Sequence, residues 1–310
     1  MSITASQVKE LRELTGAGMM DAKKALVEAD GDMKKAAEVL RQRGIATAEK
    51  KSGRTAAEGL VQAEISADGK TGVLVEVNCE TDFVAKGDAF TGFADSVAKF
   101  ILEKSPANTD ALLALPAPGG SGSMKDHVTE QIAQIKENIS IRRFVRYEIA
   151  GAGQLKSYIH TGGKIGVLVE LVAGKDETVK SDEFQQLVKD LSMQIASSAP
   201  EFPTRDEVSK EVIEEETRVE MGKEDIQSKP PEIREKIVSG RVDKLVAQKV
   251  LYEQPFIKDP SKTVSELVQE TASKLGDTLK VSRFTRYLLG EGIEKEEKSF
   301  AEEVMAAQAQ

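Results

Sequence analysis

The chain has 310 residues, 40% of them hydrophobic and 31% charged, which suits two or three cored units and excludes a disordered or low-complexity chain. Its 43 basic and 52 acidic side chains give a net charge of −9, which excludes nucleic-acid binding by the surface as a whole, because neutralising phosphates needs a cationic face. A single Cys excludes an internal disulfide framework, and with only two His it argues against a zinc site of thiolate and imidazole ligands.

The opening Met1-Ser-Ile-Thr-Ala-Ser-Gln has no basic region followed by an apolar one. The longest apolar runs, such as Gly166-Val-Leu-Val, are far shorter than the roughly 18–20 residues that span a bilayer. The expectation is a cytoplasmic protein with no membrane contact.

Residues 1–45 read as three short helices. Thr4 and Gln7 form a capping box that starts the first near Ala5, with Val8, Leu11 and Leu14 along its apolar face. Thr15-Gly-Ala-Gly ends it, Met19 and Met20 follow, and Asp21 caps a second helix carrying Ala22, Ala25, Leu26 and Ala29. Asp30-Gly-Asp breaks that helix, and a third, with Met33, Ala36, Ala37 and Leu40, stops at Gly44. So thin a bundle suits partner binding rather than enclosing a substrate. Residues 46–57 are small and basic without apolar periodicity and read as a linker. Residues 1–51 hold ten basic and eight acidic side chains, so Lys50, Lys51 and Arg54 read as a solvated tether rather than a nucleic-acid patch.

From residue 58 the pattern changes to strands, and the chain repeats itself. Glu64-Ile-Ser-Ala-Asp-Gly-Lys-Thr-Gly-Val-Leu-Val-Glu-Val matches Tyr158-Ile-His-Thr-Gly-Gly-Lys-Ile-Gly-Val-Leu-Val-Glu-Leu at an offset of 94, with eight identities. Arg143-Phe-Val-Arg-Tyr matches Arg283-Phe-Thr-Arg-Tyr at an offset of 140. Each half reads as hairpin, helices and final strand. The offsets differ by 46, so an insert of about that length sits in the second half. It falls at 205–251, where Val208, Val212 and Val219 precede Lys229-Pro-Pro, and Ile233, Ile237, Val242, Leu245 and Val246 follow. Two helices around a double proline suggest an antiparallel arm with a narrow apolar stripe. Such an arm packs on its own body, binds a partner or pairs with a second copy.

The expected division is α+β: a helical unit at 1–45, a linker at 46–57, a first core copy at 58–150, and a second copy at 151–204 completed by 252–290. The arm occupies 205–251. Residues 291–310 hold six acidic and two basic side chains, with Phe300, Val304 and Met305 at helical spacing, and suggest a terminal amphipathic helix. Whether that helix docks in cis or grips a partner is open. Pro116-Ala-Pro-Gly-Gly-Ser-Gly-Ser reads as a loop.

Enzyme signatures are missing. Gly69-Lys-Thr resembles the end of a phosphate loop, but the required earlier Gly is Glu64. Gly151-Ala-Gly lacks the third Gly of a dinucleotide fingerprint, since position 156 is Lys. No Gly-x-Ser-x-Gly elbow or His-Glu-x-x-His pair is present. His127 reads as a surface residue beside Asp126, and His160 as a solvent-facing strand residue whose counterpart is Ser66. A divergent position on a duplicated scaffold can also carry asymmetric function. Cys79 beside Glu80 reads as a buried small residue.

The remaining oddity is Asn78-Cys-Glu-Thr-Asp-Phe-Val-Ala, where a strand gives way to a helix. Thr81 or Asp82 caps that helix. Phe83 then lies in its first turn, either tucked into the core or standing at the end of the sheet. The second copy, Ala173-Gly-Lys-Asp-Glu-Thr, has no Phe there.

Thr15-Gly-Ala-Gly-Met-Met-Asp-Ala-Lys-Lys-Ala-Leu, the segment from Asn78 to Ala85, Pro260-Ser-Lys-Thr-Val and Gly290-Glu-Gly-Ile-Glu-Lys resemble the bacterial translation elongation factor Ts family over essentially the whole chain. The resemblance implies a ubiquitin-associated-like three-helix domain, two related core subdomains, a coiled-coil insertion and a C-terminal helical module. It implies a guanine-nucleotide exchange factor for the GTPase elongation factor Tu, not an enzyme, with no cofactor and no direct nucleic-acid contact. By resemblance, Thr81, Asp82, Phe83 and Val84 match a motif that dislodges Mg²⁺ from the partner, with Phe83 inserting and Asp82 fixing the contact. Arg12, Met19, Met20 and Lys23 match partner-contacting positions of the N-terminal domain, and His160 a core histidine of the interface. Ala22 departs from members that carry Cys there, and the 116–123 loop lies in a variable stretch. Competing classes are a scaffold that recruits partners without exchange, including a homodimer through the arm, and an enzyme on the duplicated core.

Overall fold

A computed structural model describes residues 3–118 and 122–294, which fold as a mixed α+β chain. The N-terminal unit is α1 (Ala5–Thr15), α2 (Met19–Glu28) and α3 (Met33–Lys51). The Thr4 hydroxyl accepts the Gln7 amide at 3.3 Å and Gln7 Oε1 accepts the Thr4 amide at 3.0 Å, which fixes the start of α1. Leu11, Ala22, Ala25, Leu26 and Ala36 form its small core.

Three expectations need correction here. Leu14 is 70% exposed rather than part of that core. Helix α2 starts at Met19 behind Gly18, so Asp21 is not its cap; it lies inside the first turn, where free amides favour a carboxylate. Helix α3 does not stop at Gly44 but runs to Lys51, leaving only residues 52–57 as tether. Gly44 is a contact point rather than a terminator, because a methyl there would lie 3.3 Å from the Ala133 methyl of a packed helix.

The duplication is realised almost residue for residue. The first copy runs β1 (Glu58–Ile65), β2 (Thr71–Cys79), α4 (Asp82–Ala85), α5 (Asp88–Lys104), α6 (Thr109–Ala114), α7 (Met124–Ile135) and β3 (Ser140–Glu148). The second runs β4 (Gly153–Ile159), β5 (Ile165–Ala173), α8 (Asp176–Val179) and α9 (Asp182–Ser198). The arm follows as α10 (Lys210–Met221), α11 (Glu224–Gln227) and α12 (Pro231–Lys249). The chain then returns through the small hairpin β6 (Pro255–Phe256) and β7 (Asp259–Thr263) to α13 (Val264–Leu275) and β8 (Leu279–Leu288).

Each copy builds an antiparallel three-stranded sheet, ordered β1-β2-β3 and β4-β5-β8. The register shifts at Glu76/Val77 in one and at Glu170/Leu171 in the other, which are equivalent positions. The central strands are buried on both faces, which explains their unbroken apolar runs. Val73, Val75 and Val77 face Phe90, Val97 and Ile101 in the helical layer. Leu74 faces the other sheet, with Val61, Leu155 and Leu168.

The sheets grip each other reciprocally. The Val61 amide donates to the Gly163 carbonyl at 2.7 Å, and the Leu155 amide to the Gly69 carbonyl at 2.9 Å. Arg143 stacks 4.3 Å from the Tyr287 ring centre, and Arg283 stacks 4.1 Å from that of Tyr147. Gly72 and Gly166 are required for space, since a methyl on Gly72 would strike Ile65, Leu168 and Leu155 and one on Gly166 the equivalent Val61, Leu74 and Ile159.

In the arm, Glu216 pairs with Lys249 at 2.9 Å and Glu220 with Arg241 at 3.5 Å, an order that makes α10 and α12 antiparallel. Val208, Ile226, Val238, Val242 and Val246 form its seam. Val219 and Ile233 do not join it and are 51% and 49% exposed, and the short α11 precedes the double proline. The terminal helix expected within 291–310 falls outside the described residues from 295 onward, as do residues 119–121 of the 116–123 loop.

Candidate functional site

Strand β2 ends at Cys79, and Glu80 and Thr81 turn the chain into the single-turn α4. Thr81 is the cap: its hydroxyl accepts the Val84 amide at 3.2 Å. Ala85 is buried, and Val84 packs against the first core. Asp82 is exposed and pairs with Lys86 at 2.7 Å; Lys86, with Lys164 further off, holds its carboxyl below the usual range.

Phe83 resolves the alternative left open above. It is 84% exposed, the highest value for a large apolar side chain among the described residues. Phe90 and Phe93 of α5 fill the core instead. The equivalent turn in the second copy, α8, places the exposed Glu177 at the Phe83 position. An aromatic ring held in water on one half only is not explained by packing.

The turn of the second hairpin reaches the same rim. Lys164 Nζ lies 3.4 Å from Glu58, which pairs across the sheet with Cys79. His160 is exposed just past β4, and its Nδ1 lies 3.0 Å from the Tyr158 hydroxyl. Arg12, Met19, Met20 and Lys23 are exposed on α1 and α2, with Met19 and Met20 at 49% and 63%. They sit on the separate helical unit, which is tied to the end of α7 where Gln134 Nε2 donates to the Thr15 carbonyl at 3.2 Å and Lys136 pairs with Asp21 at 3.6 Å.

A groove of about 1130 Å³ opens between α3, the α1–α2 turn and α7. His127 lines it, but is half-buried against Phe93 at 5.6 Å rather than a plain surface residue. Cys79 is buried; burial, then the Glu137 charge, pushes its thiol up to about 12, which leaves it inert as a nucleophile. Among the described residues no cluster of His, Cys, Asp and Glu is arranged to hold a metal, and no helix is long and apolar enough to cross a membrane.

Sequence reasoning passed over Glu137. Its carboxylate accepts the Glu80 amide at 3.0 Å, the Thr81 amide at 3.0 Å and the Thr81 hydroxyl at 2.7 Å. The available signal was its counterpart at the offset of 140, Asp277, which accepts the Lys175 amide at 3.0 Å and the Thr178 hydroxyl at 2.6 Å.

Residues 80–291 match the sequence model of the family described as Elongation factor TS. The chain is 47% identical over 308 residues to Elongation factor Ts of Trichlorobacter lovleyi, covering 99% of both chains. It is 48% identical over 303 residues to that of Symbiobacterium thermophilum, covering 98% of this chain and 97% of the relative. Against the Nostoc protein of the same name, identity is 47% over 307 residues, with 98% and 97% covered. A family match over two thirds of the chain, joined to identity of this order along its whole length, places the protein in the elongation factor Ts family of translation elongation factors.

Proposed function

We propose that this protein is the guanine-nucleotide exchange factor of a cytoplasmic elongation factor Tu, and that Phe83 is the ring that loosens the partner's Mg²⁺ and phosphate grip. Membership of the family supports the general exchange role. The observation that carries the finer reading is Phe83, 84% exposed on a capped turn at the end of a sheet. Thr81 caps the turn, Val84 roots it in the core, and the exposed Asp82, paired with Lys86, is the group that would fix the contact with the partner.

The physics is linkage. A factor that binds the nucleotide-free GTPase more tightly than the GDP-bound form must weaken GDP binding by the same ratio. Each tenfold needs about 1.4 kcal/mol of differential affinity. Burying one Phe supplies roughly 1.5–3 kcal/mol, or one to two decades. Larger acceleration requires further contacts, for which Arg12, Met19, Met20, Lys23 and His160 are the proposed groups. No chemical catalysis and no cofactor of the factor's own is involved. The exposed Val219 and Ile233 support a separate contact role for the arm, and sedimentation of the protein alone tests whether it pairs two copies.

The test is release of labelled GDP from elongation factor Tu. Phe83→Ala is expected to slow factor-stimulated release by roughly ten- to a hundredfold, with an unchanged melting curve. Release at the parent rate removes the wedge role.

A further inference from the structure

We infer that Glu137 is a positioning residue for exchange: its carboxylate fixes the turn on which Phe83 stands. This rests on the reading of Phe83 as the inserting ring. A side chain 84% exposed is not aimed by its own packing. Nor is a single helical turn stable alone, since nucleation costs more than one bond returns. The direction of the ring is therefore set by what holds the start of the turn.

Glu137 holds it. One carboxylate oxygen accepts the Glu80 and Thr81 amides, and the other accepts the Thr81 hydroxyl. That hydroxyl accepts the Val84 amide in turn. Carboxylate, cap hydroxyl and first-turn amide thus stand in series, with Phe83 inside the bracket. Bonds to an ionised acceptor are roughly twice as strong as neutral ones. Glu137 is itself placed by Lys136, which ends α7 at φ +68°. The Asn138 amide donates to Glu80 Oε1 at 2.6 Å, and Asn138 Nδ2 to the Arg54 carbonyl at 2.7 Å, so the turn is clamped from both sides.

The second copy supplies an internal control. Asp277 grips its own turn in the same way, but through the Thr178 hydroxyl, one residue after Glu177, rather than through a cap before it. It has a structural share of the same kind and no aromatic ring to aim.

The experiment uses the full chain and times release of labelled GDP from elongation factor Tu, with melting temperature read in parallel. Glu137→Ala is expected to slow release roughly five- to tenfold, the factor expected when a loosened segment must be reordered on binding. Glu137→Gln, which keeps the shape and one acceptor, is expected to fall between it and the parent. Asp277→Ala is expected to lower the melting temperature comparably and leave release within about twofold of the parent. In a Phe83→Ala background, Glu137→Ala is expected to add less than about a twofold further loss. Equal slowing by Asp277→Ala, or a full Glu137 effect without the ring, assigns the loss to general destabilisation and overturns the inference. A slow Phe83→Ala beside parent-like Glu137→Ala and Glu137→Gln overturns the inference alone. A parent-like Phe83→Ala overturns the reading beneath it and the inference together.

Discussion

The two core copies share a scaffold and part company at its rim. Helices α5 and α9 are both 17 residues long and end in left-handed residues, Ser105 and Ala199. The Arg146 guanidinium donates to the Leu102 carbonyl at 3.4 Å, and Arg286 to the equivalent Ala196 carbonyl at 3.2 Å. What both halves keep is what holds the sheets to the helices and to each other. The differences that face solvent are Phe83 against Glu177 on the first turn, and an arm inserted into one half only. A duplicated unit must satisfy its interface twice, so changes there are felt in both halves. A rim residue answers to no such constraint and is free to serve a partner.

The comparison is broken most directly at its centre. Leu74 and Leu168 are equivalent, fully buried and part of the cluster between the sheets. Leu74→Ala and Leu168→Ala are each expected to cost about 3–4 kcal/mol in urea denaturation. A gap between them of more than about 1 kcal/mol would mean the sheet interface is not equivalent in the two halves.

Glu76 and Glu170 sharpen the contrast, being equivalent in sequence but unequal in surroundings. Glu76 is fully buried and accepts from Arg143 Nε at 2.6 Å, the Gly290 amide at 2.8 Å, Arg142 Nη1 at 3.0 Å and Asn78 Nδ2 at 3.1 Å. It so anchors the turn after β8, where Gly290, at φ +70°, passes close to the Ala57 carbonyl. Glu170 accepts from Arg283 Nε at 2.7 Å. Its half has Ser282 and Val172 where the first has Arg142 and Asn78. Glu76→Gln is expected to cost about 2–3 kcal/mol at neutral pH and Glu170→Gln about 1. Burial works to raise the Glu76 carboxyl, but the Gly290 amide, Arg143, Asn78 and Arg142 together hold it below its ordinary 4.5. A depressed carboxyl stabilises the fold above its unfolded value, and that stabilisation is lost as pH falls through the depressed one. The gap between parent and Glu76→Gln is therefore expected to narrow below pH 4.5, which urea titrations at several pH values read directly.

The sequence carried the duplication openly, because repeated strings at fixed offsets are a one-dimensional signal. The hairpins, the final strands and the size of the insert all followed from it. Helix ends were harder. Gly44 looks like a stop by composition, yet serves a close approach to Ala133 that exists only once α3 and α7 meet. Val219 and Ile233 have seam-like spacing but stay exposed, outside the cluster that their neighbours Val212, Met221 and Ile237 join. At the candidate site, position and type pointed to Phe83, while its exposure depended on Phe90 and Phe93 having already filled the core beneath it. Glu137 left only a faint trace, an acidic counterpart at the offset of 140, because its meaning lies in a bond to Thr81, 56 residues away.

The smallest expected effect isolates a single hydroxyl. Tyr147 and Tyr287 occupy equivalent positions, and each ring carries the guanidinium of the opposite copy. Tyr147 also shares a hydrogen bond of 2.6 Å with the Thr285 hydroxyl. The residue equivalent to Thr285 in the first copy is Val145, which has no polar group to offer Tyr287. Replacing Tyr by Phe keeps the stacked face and removes only the hydroxyl. Tyr147→Phe is therefore expected to cost about 1 kcal/mol, and Tyr287→Phe less than about 0.5, in matched urea denaturation curves. Equal losses would show that the Thr285 bond contributes nothing in the folded chain, and would leave the two rings interchangeable despite the one difference in chemistry beside them.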